Sequence, residues 1–204
     1  MQRKKLGILV SGRGTNMQAI IEAAANSDYP AEVSLVLSNR SEAPALKRAE
    51  KFGIEAVFIP GKGEQWEKKA LNLIEEKEID LICLAGFMRV LSPRFIEKAP
   101  PIMNIHPSLL PAFPGLEAQK QALDYGVKIS GCTVHFVDAG VDTGPIILQK
   151  AVVVEEDDDV ETLSRRILKQ EHHLYPRAIS LWARGKLKRE GRMVKIKEAE
   201  GDER

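Results

Sequence analysis

The sequence predicts an α/β fold: a single doubly wound domain over residues 1–197, with a mostly parallel central sheet and an antiparallel extension in its C-terminal half. Three observations carry that reading. In the first 84 residues, short apolar runs alternate four times with stretches of helical spacing, and strands joined through helices lie parallel, with helices on both faces. The runs at 6–10 and 80–84 each end in a glycine-containing turn. After residue 100, two strand-like runs follow one another with no helix between them, which suits antiparallel pairing across a loop.

The first strand, residues 6–10 (LGILV), is apolar throughout and stops at Ser11-Gly12-Arg13-Gly14. The helix after it, 16–25, carries Met17, Ile20, Ile21 and Ala24 on one face. Residues 32–38 (EVSLVLS) form a second strand, 44–52 a helix that Gly53 stops, and 56–59 a third strand. An amphipathic helix over 65–77 offers Trp66, Leu71 and Ile74 to the core, and 80–84 (DLICL) is the fourth strand. Beyond it, 102–105 is a short strand entering a proline-punctuated loop, and 117–125 is a helix. Residues 128–137 and 146–154 are the strands of the antiparallel extension. Residues 160–183 form a long amphipathic helix with a bend at Pro176. A final edge strand is expected at 191–197, and 198–204 is a charged, frayed tail.

A length of 204 residues suits one domain with a sizeable core. Hydrophobic residues make up 44% and charged residues 29%, the balance of a soluble globular chain. The formal net charge of +1 creates no overall field toward nucleic acid or a membrane surface. The basic run Lys186, Lys188, Arg189 and Arg192 lacks the interleaved aromatics of a nucleic-acid face. Neither partner is expected. The apolar stretch at 6–10 is too short for a signal-peptide core or a membrane span. Cys83 and Cys132 sit in apolar runs and read as buried free thiols of a reducing compartment. A cytoplasmic protein is the expectation. His172 and His173 are helix neighbours whose side chains diverge, so no metal is expected. The acidic run 155–159 reads as a solvated loop whose charge favours the helix behind it.

Ligands of such sheets bind beyond the carboxyl ends of the strands, so the loops there hold the candidates. Residues 11–16 (SGRGTN) present backbone amides at a helix N-terminus, a place for an anion. Met17 stands where a dinucleotide fingerprint has its third glycine, and no Gly-Lys-Ser/Thr follows. Two readings stay open: a monophosphate site, or a plain strand–helix turn with Thr15 or Asn16 near the cap. Asn104 and His106 are i and i+2 on a strand and share a face. An imidazole carries protons near neutral pH, and an amide NH2 can donate to a developing oxyanion. The pair therefore suits attack on an acyl or formyl carbon. Asp142 lies in a glycine-rich loop (138–145) that could bring its carboxylate beside His106 and raise the imidazole pKa, or could satisfy its own turn. Residues 86–91 (GFMRVL) either line a pocket for a flat heterocycle or pack in the core.

The strings SGRGTNMQAI, LAGFMRVLSP, NIHPSLLPAFPG, GCTVHFVDAGVDTGPIILQ and QEHHLYP stand in this order and cover nearly the whole chain. Together they resemble the glycinamide ribonucleotide transformylase family of purine biosynthesis. Asn-Ile-His-Pro-Ser with a later aspartate marks the wider folate formyltransferase group, and the glycine-rich first loop narrows it to the ribonucleotide enzyme. The resemblance implies a Rossmann-like domain that acts on small molecules as a monomer or homodimer. These are 5-phosphoribosylglycinamide and, as cosubstrate, 10-formyltetrahydrofolate. It implies a catalytic triad of Asn104, His106 and Asp142. Asn104 and protonated His106 stabilise the tetrahedral oxyanion; Asp142 raises the His106 pKa and assists proton transfer through water to the departing folate nitrogen. It further implies phosphate binding by Gly14, Thr15 and Asn16, and ribose and glycinamide binding by Leu168, Lys169, Gln170 and Glu171. Folate contacts fall on Met88, Arg89, Val90, Leu91, Asn104, Asp138, Ala139, Gly140, Val141 and Asp142, with His135 as a supporting residue.

One departure stands out. Glu64 occupies the place of an arginine that in many relatives meets the folate; Lys62, two residues earlier, replaces it, or the folate tail is held less tightly. Methionyl-tRNA formyltransferases add a C-terminal domain and formyltetrahydrofolate hydrolases an N-terminal one, and neither is expected here. A sugar-nucleotide formyltransferase and, in another class, a non-catalytic nucleotide-binding module are the remaining alternatives. The second would need the first loop but not Asn104, His106 and Asp142 together.

Overall fold

The computed structural model describes residues 2–197, so the expected tail at 198–204 lies outside the described residues. The first half runs β1 (Lys4–Val10), α1 (Thr15–Ala24), β2 (Ala31–Ser38), α2 (Pro44–Lys51), β3 (Ala56–Phe58), α3 (Gly63–Glu76), β4 (Leu81–Leu84) and α4 (Pro93–Lys98). The second runs β5 (Ile102–His106), α5 (Ala118–Tyr125), β6 (Ile129–Phe136), β7 (Ile146–Val153), α6 (Val160–Ala183), β8 (Leu187–Glu190) and β9 (Met193–Ile196). Seven strands form one sheet in the order β3-β2-β1-β4-β5-β6-β7. The pairs from β3 to β5 are parallel, and β5–β6 and β6–β7 are antiparallel. The fold is the α/β architecture expected, antiparallel extension included.

Both faces of the sheet are covered, which is why β1 is apolar at successive positions. Leu6, Ile8 and Val10 enter a cluster with Met17 and Ile20 of α1, Ala45 and Ala49 of α2 and Ile167 of α6. Leu9 points the other way, to Trp66 and Ile74 of α3 and Phe95 of α4. Each fully buried aliphatic side chain contributes about 1.5–3 kcal/mol. Cys83 and Cys132 are buried and free, and burial pushes each thiol up to about 12. Among the described residues no helix is long and apolar enough to cross a membrane.

Three local features differ from expectation. α4 was not anticipated, although Ser92-Pro93 is a start signal: the Ser92 Oγ accepts from Phe95 N–H at 3.1 Å and Pro93 opens the helix. The strand at 191–197 is not an edge of the main sheet. It pairs with β8 in a separate two-stranded sheet, because Gly191, at φ 62°, turns the chain straight back on its nearest partner. The acidic run is not wholly solvated. Asp159 and Thr162 cap α6 reciprocally, and Arg166 meets the Asp158 carboxylate at 2.7 and 2.8 Å, holding its carboxyl down to about 2. α6 itself continues through Pro176, whose carbonyl accepts from the Tyr29 hydroxyl at 2.7 Å.

Candidate active site

A cleft of about 560 Å³ opens at the carboxyl ends of the parallel strands. Sheet register sets its floor. Asn104 stands opposite Leu84 of β4 and His135 of β6, and His106 stands opposite Thr133. Asn104 and His106 both line the cleft, as alternate residues of one strand do. The loop between β6 and β7 returns Asp142 over them. Asp142 sits at φ 54°, the left-handed region that aspartate tolerates better than most residues. Its Oδ2 lies 3.3 Å from His106 Nδ1 and accepts from Gly115 N–H at 2.8 Å. Its Oδ1 accepts from Asn104 Nδ2 at 3.3 Å and lies 3.6 Å from His135 Nε2.

His106 is 4% exposed. Its Nε2 lies 2.8 Å from the Phe113 carbonyl, which can only accept, so this nitrogen carries a hydrogen. With a carboxylate at Nδ1, both ring nitrogens face acceptors. Burial nevertheless holds the imidazole below its usual range; the Phe113 carbonyl and Asp142 pull upward without cancelling it. Asp142 thus acts in the expected direction, and enclosure sets the net shift of His106 downward. For Asp142, burial pushes upward, and contacts with His135, Gly115 N–H and His106 outweigh it, keeping the carboxyl below its usual range.

Asn104 is held between two neighbours. His135 Nδ1 lies 2.9 Å from Phe136 O and carries a hydrogen, and His135 Nε2 faces one side of the Asn104 NH2 at 3.2 Å. Asp142 Oδ1 accepts from that NH2, and a carboxylate there could not face the amide oxygen. The Asn104 Oδ1 accepts from no protein donor among the described residues.

At the other end of the cleft, Asn16 Nδ2 donates to Glu171 Oε2 at 2.7 Å, joining α1 to α6. Burial pushes the Glu171 carboxyl up, against a smaller opposing pull from Asn16. Asn16, Glu171 and Arg13 line the cleft, and Arg13 was not singled out from the sequence. Gly14 and Thr15 do not line it: Gly14 is the cap of α1, at φ 71°, without a side-chain cap bond. Leu168, Lys169 and Gln170 do not line it either; successive helix residues turn by about 100°, which carries Lys169 and Gln170 away from the face of Glu171. A Cβ on Gly14 would lie 2.6 Å from the Cβ of Ala45. Gly14→Ala is expected to destabilise the fold by about 1–3 kcal/mol; a urea midpoint equal to wild type would refute this.

Met88, Arg89, Val90 and Leu91 line a third side, faced by Asp138, Gly140 and Val141; Ala139 does not line it. Met88 and Val90 are 60% and 77% exposed, an apolar rim. Lys62 caps α3 and does not line the cleft, since the chain enters α3 directly after it. Glu64 pairs with Arg94 at 2.6 Å. Among the described residues no cluster of His, Cys, Asp and Glu could hold a metal ion. The Phe113 carbonyl and the Gly115 N–H were invisible beforehand, because backbone groups leave no side-chain signature beyond the Pro-Gly string around them.

An amide, an imidazole and a carboxylate gathered at the carboxyl edge of a mostly parallel sheet define a Rossmann-like α/β protein of the acyl-transfer type. The family model described as formyl transferase matches residues 4–179, and the chain belongs to that family. It is 41% identical over 181 residues to phosphoribosylglycinamide formyltransferase of Bacillus subtilis, covering 86% of this chain and 93% of that protein. It is 48% identical over 191 residues to the trifunctional purine biosynthetic protein adenosine-3 of Drosophila melanogaster, covering 90% of this chain but spanning only 14% of that relative's length. The crystal structure of glycinamide ribonucleotide transformylase 1 from Symbiobacterium toebii matches with a TM-score of 0.93 and 48% identity, over 96% of this chain and 95% of that one.

Proposed function

We propose that this chain transfers a formyl group from 10-formyltetrahydrofolate to the amine of 5-phosphoribosylglycinamide, with residues 1–197 as one catalytic unit. The observation that carries the reading is Asp142 within 3.3 Å of both His106 and Asn104 in a cleft whose mouths differ in chemistry. One mouth has the N-terminus of α1, Arg13, Asn16 and Glu171, suited to a phosphate and to ribose hydroxyls. The other has Met88, Val90, Leu91 and Val141, suited to a flat heterocycle. The names of relatives matched over most of their length, phosphoribosylglycinamide formyltransferases, support the acceptor and the group transferred.

The amine nitrogen attacks the formyl carbon, and the carbonyl oxygen gathers negative charge. Both ring nitrogens of His106 face acceptors, the arrangement of an imidazolium, while burial opposes its charge. A developing oxyanion beside the ring favours the protonated form, and the pair stabilise each other. The bond from the formyl carbon to the folate nitrogen then breaks. The proton shed by the amine passes, through water, to that departing nitrogen. Asn104, its NH2 donating to Asp142, offers Oδ1 to the attacking amine and orients its lone pair. Purified protein given both substrates is expected to release tetrahydrofolate and the formylated ribonucleotide. No product, under conditions where an established formyltransferase turns over, would overturn the reading.

A further inference from the structure

The loop of residues 86–92 forms the apolar wall of the cleft, and three polar side chains that do not line the cleft hold it in shape. Ser11 grips one end twice: its N–H donates to Gly86 O at 3.1 Å, and its Oγ accepts from Met88 N–H at 2.8 Å. Asn39, just after β2, lies 2.6 Å from Ser11 Oγ. With the amide turned so that Nδ2 donates to Ser11 Oγ and Val10 O, its Oδ1 accepts from Arg89 Nε at 2.8 Å. Glu67 of α3 grips the other end, where the N–H and Oγ–H of Ser92 donate to its two carboxylate oxygens at 2.8 and 2.6 Å. Between the grips, the Arg89 guanidinium lies 5.7 Å from the centre of the Trp66 ring, and the Phe87 ring lies 5.3 Å from it.

These contacts matter because Met88 and Val90 are largely exposed, whereas Phe87 and Leu91 pack against the core. Burial anchors those two residues, and the backbone that carries Met88 and Val90 takes the rest of its shape from the polar bonds at the ends of the segment. A ligand that must first order a loose loop loses affinity to that ordering, and a loop already held does not.

We propose that Ser11, Asn39 and Glu67 are positioning residues for the formyl donor, fixing the backbone and apolar rim of residues 86–92 against which its heterocycle lies. The inference rests on the formyl-transfer reading above. The three differ in a way that can be measured. Ser11 also begins the turn into α1, so it touches both mouths, whereas Glu67 touches only the donor wall.

Glu67→Ala is expected to raise the KM for 10-formyltetrahydrofolate by about tenfold, as loss of two hydrogen bonds to a charged group implies. The KM for the ribonucleotide and kcat should stay within about twofold. Glu67→Gln, which keeps one acceptor for Ser92, should recover part of the loss, and Ser11→Ala should raise both KM values. A purely structural role for Glu67 would lower the melting temperature and leave this split absent. Equal changes in both KM values, or none, in Glu67→Ala would overturn the proposal; should that variant fail to fold, Glu67→Gln and Asn39→Ala carry the same comparison. Calorimetry with a non-reactive folate analogue separates the two layers. Wild-type protein that binds neither the analogue nor the ribonucleotide overturns the functional reading. Wild type that binds both, with Glu67→Ala binding the analogue equally tightly, overturns this inference alone.

Discussion

His106→Ala is expected to lower kcat by about two orders of magnitude or more, with much smaller changes in either KM. The ring is nearly enclosed, and both of its nitrogens face acceptors, the Phe113 carbonyl and the Asp142 carboxylate. Alanine removes the group that becomes charged beside the oxyanion and offers nothing in its place. The surrounding frame does not depend on the ring alone, because Asp142 keeps its bonds from Gly115 N–H and Asn104. The substrates should therefore still bind, and the loss should fall on the chemical step. Single-turnover rates with enzyme in excess isolate that step from product release. A rate within a few-fold of wild type would remove His106 from the mechanism.

Asp142→Asn is the second large effect, and its signature is in the pH dependence. Asp142 pulls the His106 pKa upward against burial. With the negative charge gone, burial acts with less opposition and the imidazole pKa falls further. If protonated His106 stabilises the oxyanion, the rate declines as pH rises through the pKa of that group in the complex. The declining limb of the profile should then move to lower pH in the variant, and it should not move to higher pH. The plateau should fall as well, by about a hundredfold. Part of that fall is geometric: an asparagine that keeps its oxygen toward His106 and Gly115 turns its NH2 toward the Asn104 NH2, donor against donor at a separation now 3.3 Å. A profile of wild-type shape would show that the carboxylate charge does not act on His106.

Much of the site was legible before any coordinates. Asn104 and His106 had to share a face once their segment was a strand, and the turns after β1 and β4 had to lie at the ligand edge of a parallel sheet. The four-residue segment ending at Glu171 was legible only in part: Glu171 alone lines the cleft, and the helix turns Lys169 and Gln170 to other faces. Lys62 stands at the N-terminal cap of α3 and off the cleft, a placement that charge alone does not encode. Ser92-Pro93 carries a readable helix start, but the six-residue helix it opens is too short to show helical periodicity.

By itself, the sequence determined the layering of the fold, the strand that carries Asn104 and His106, and the family. Each is written in local spacing: which residues repeat on one side of a strand or helix, and which glycines permit a turn. Only the tertiary structure decided what those residues do to one another. It set Asp142 between His106 and Asn104, turned the Asn104 amide, joined Asn16 to Glu171, and tied residues 86–92 to Ser11, Asn39 and Glu67. It also set burial against Asp142 at His106, with a net shift downward. Charge proximity can be guessed from a motif. Burial is set by everything packed around the ring, and here it is the larger of the two.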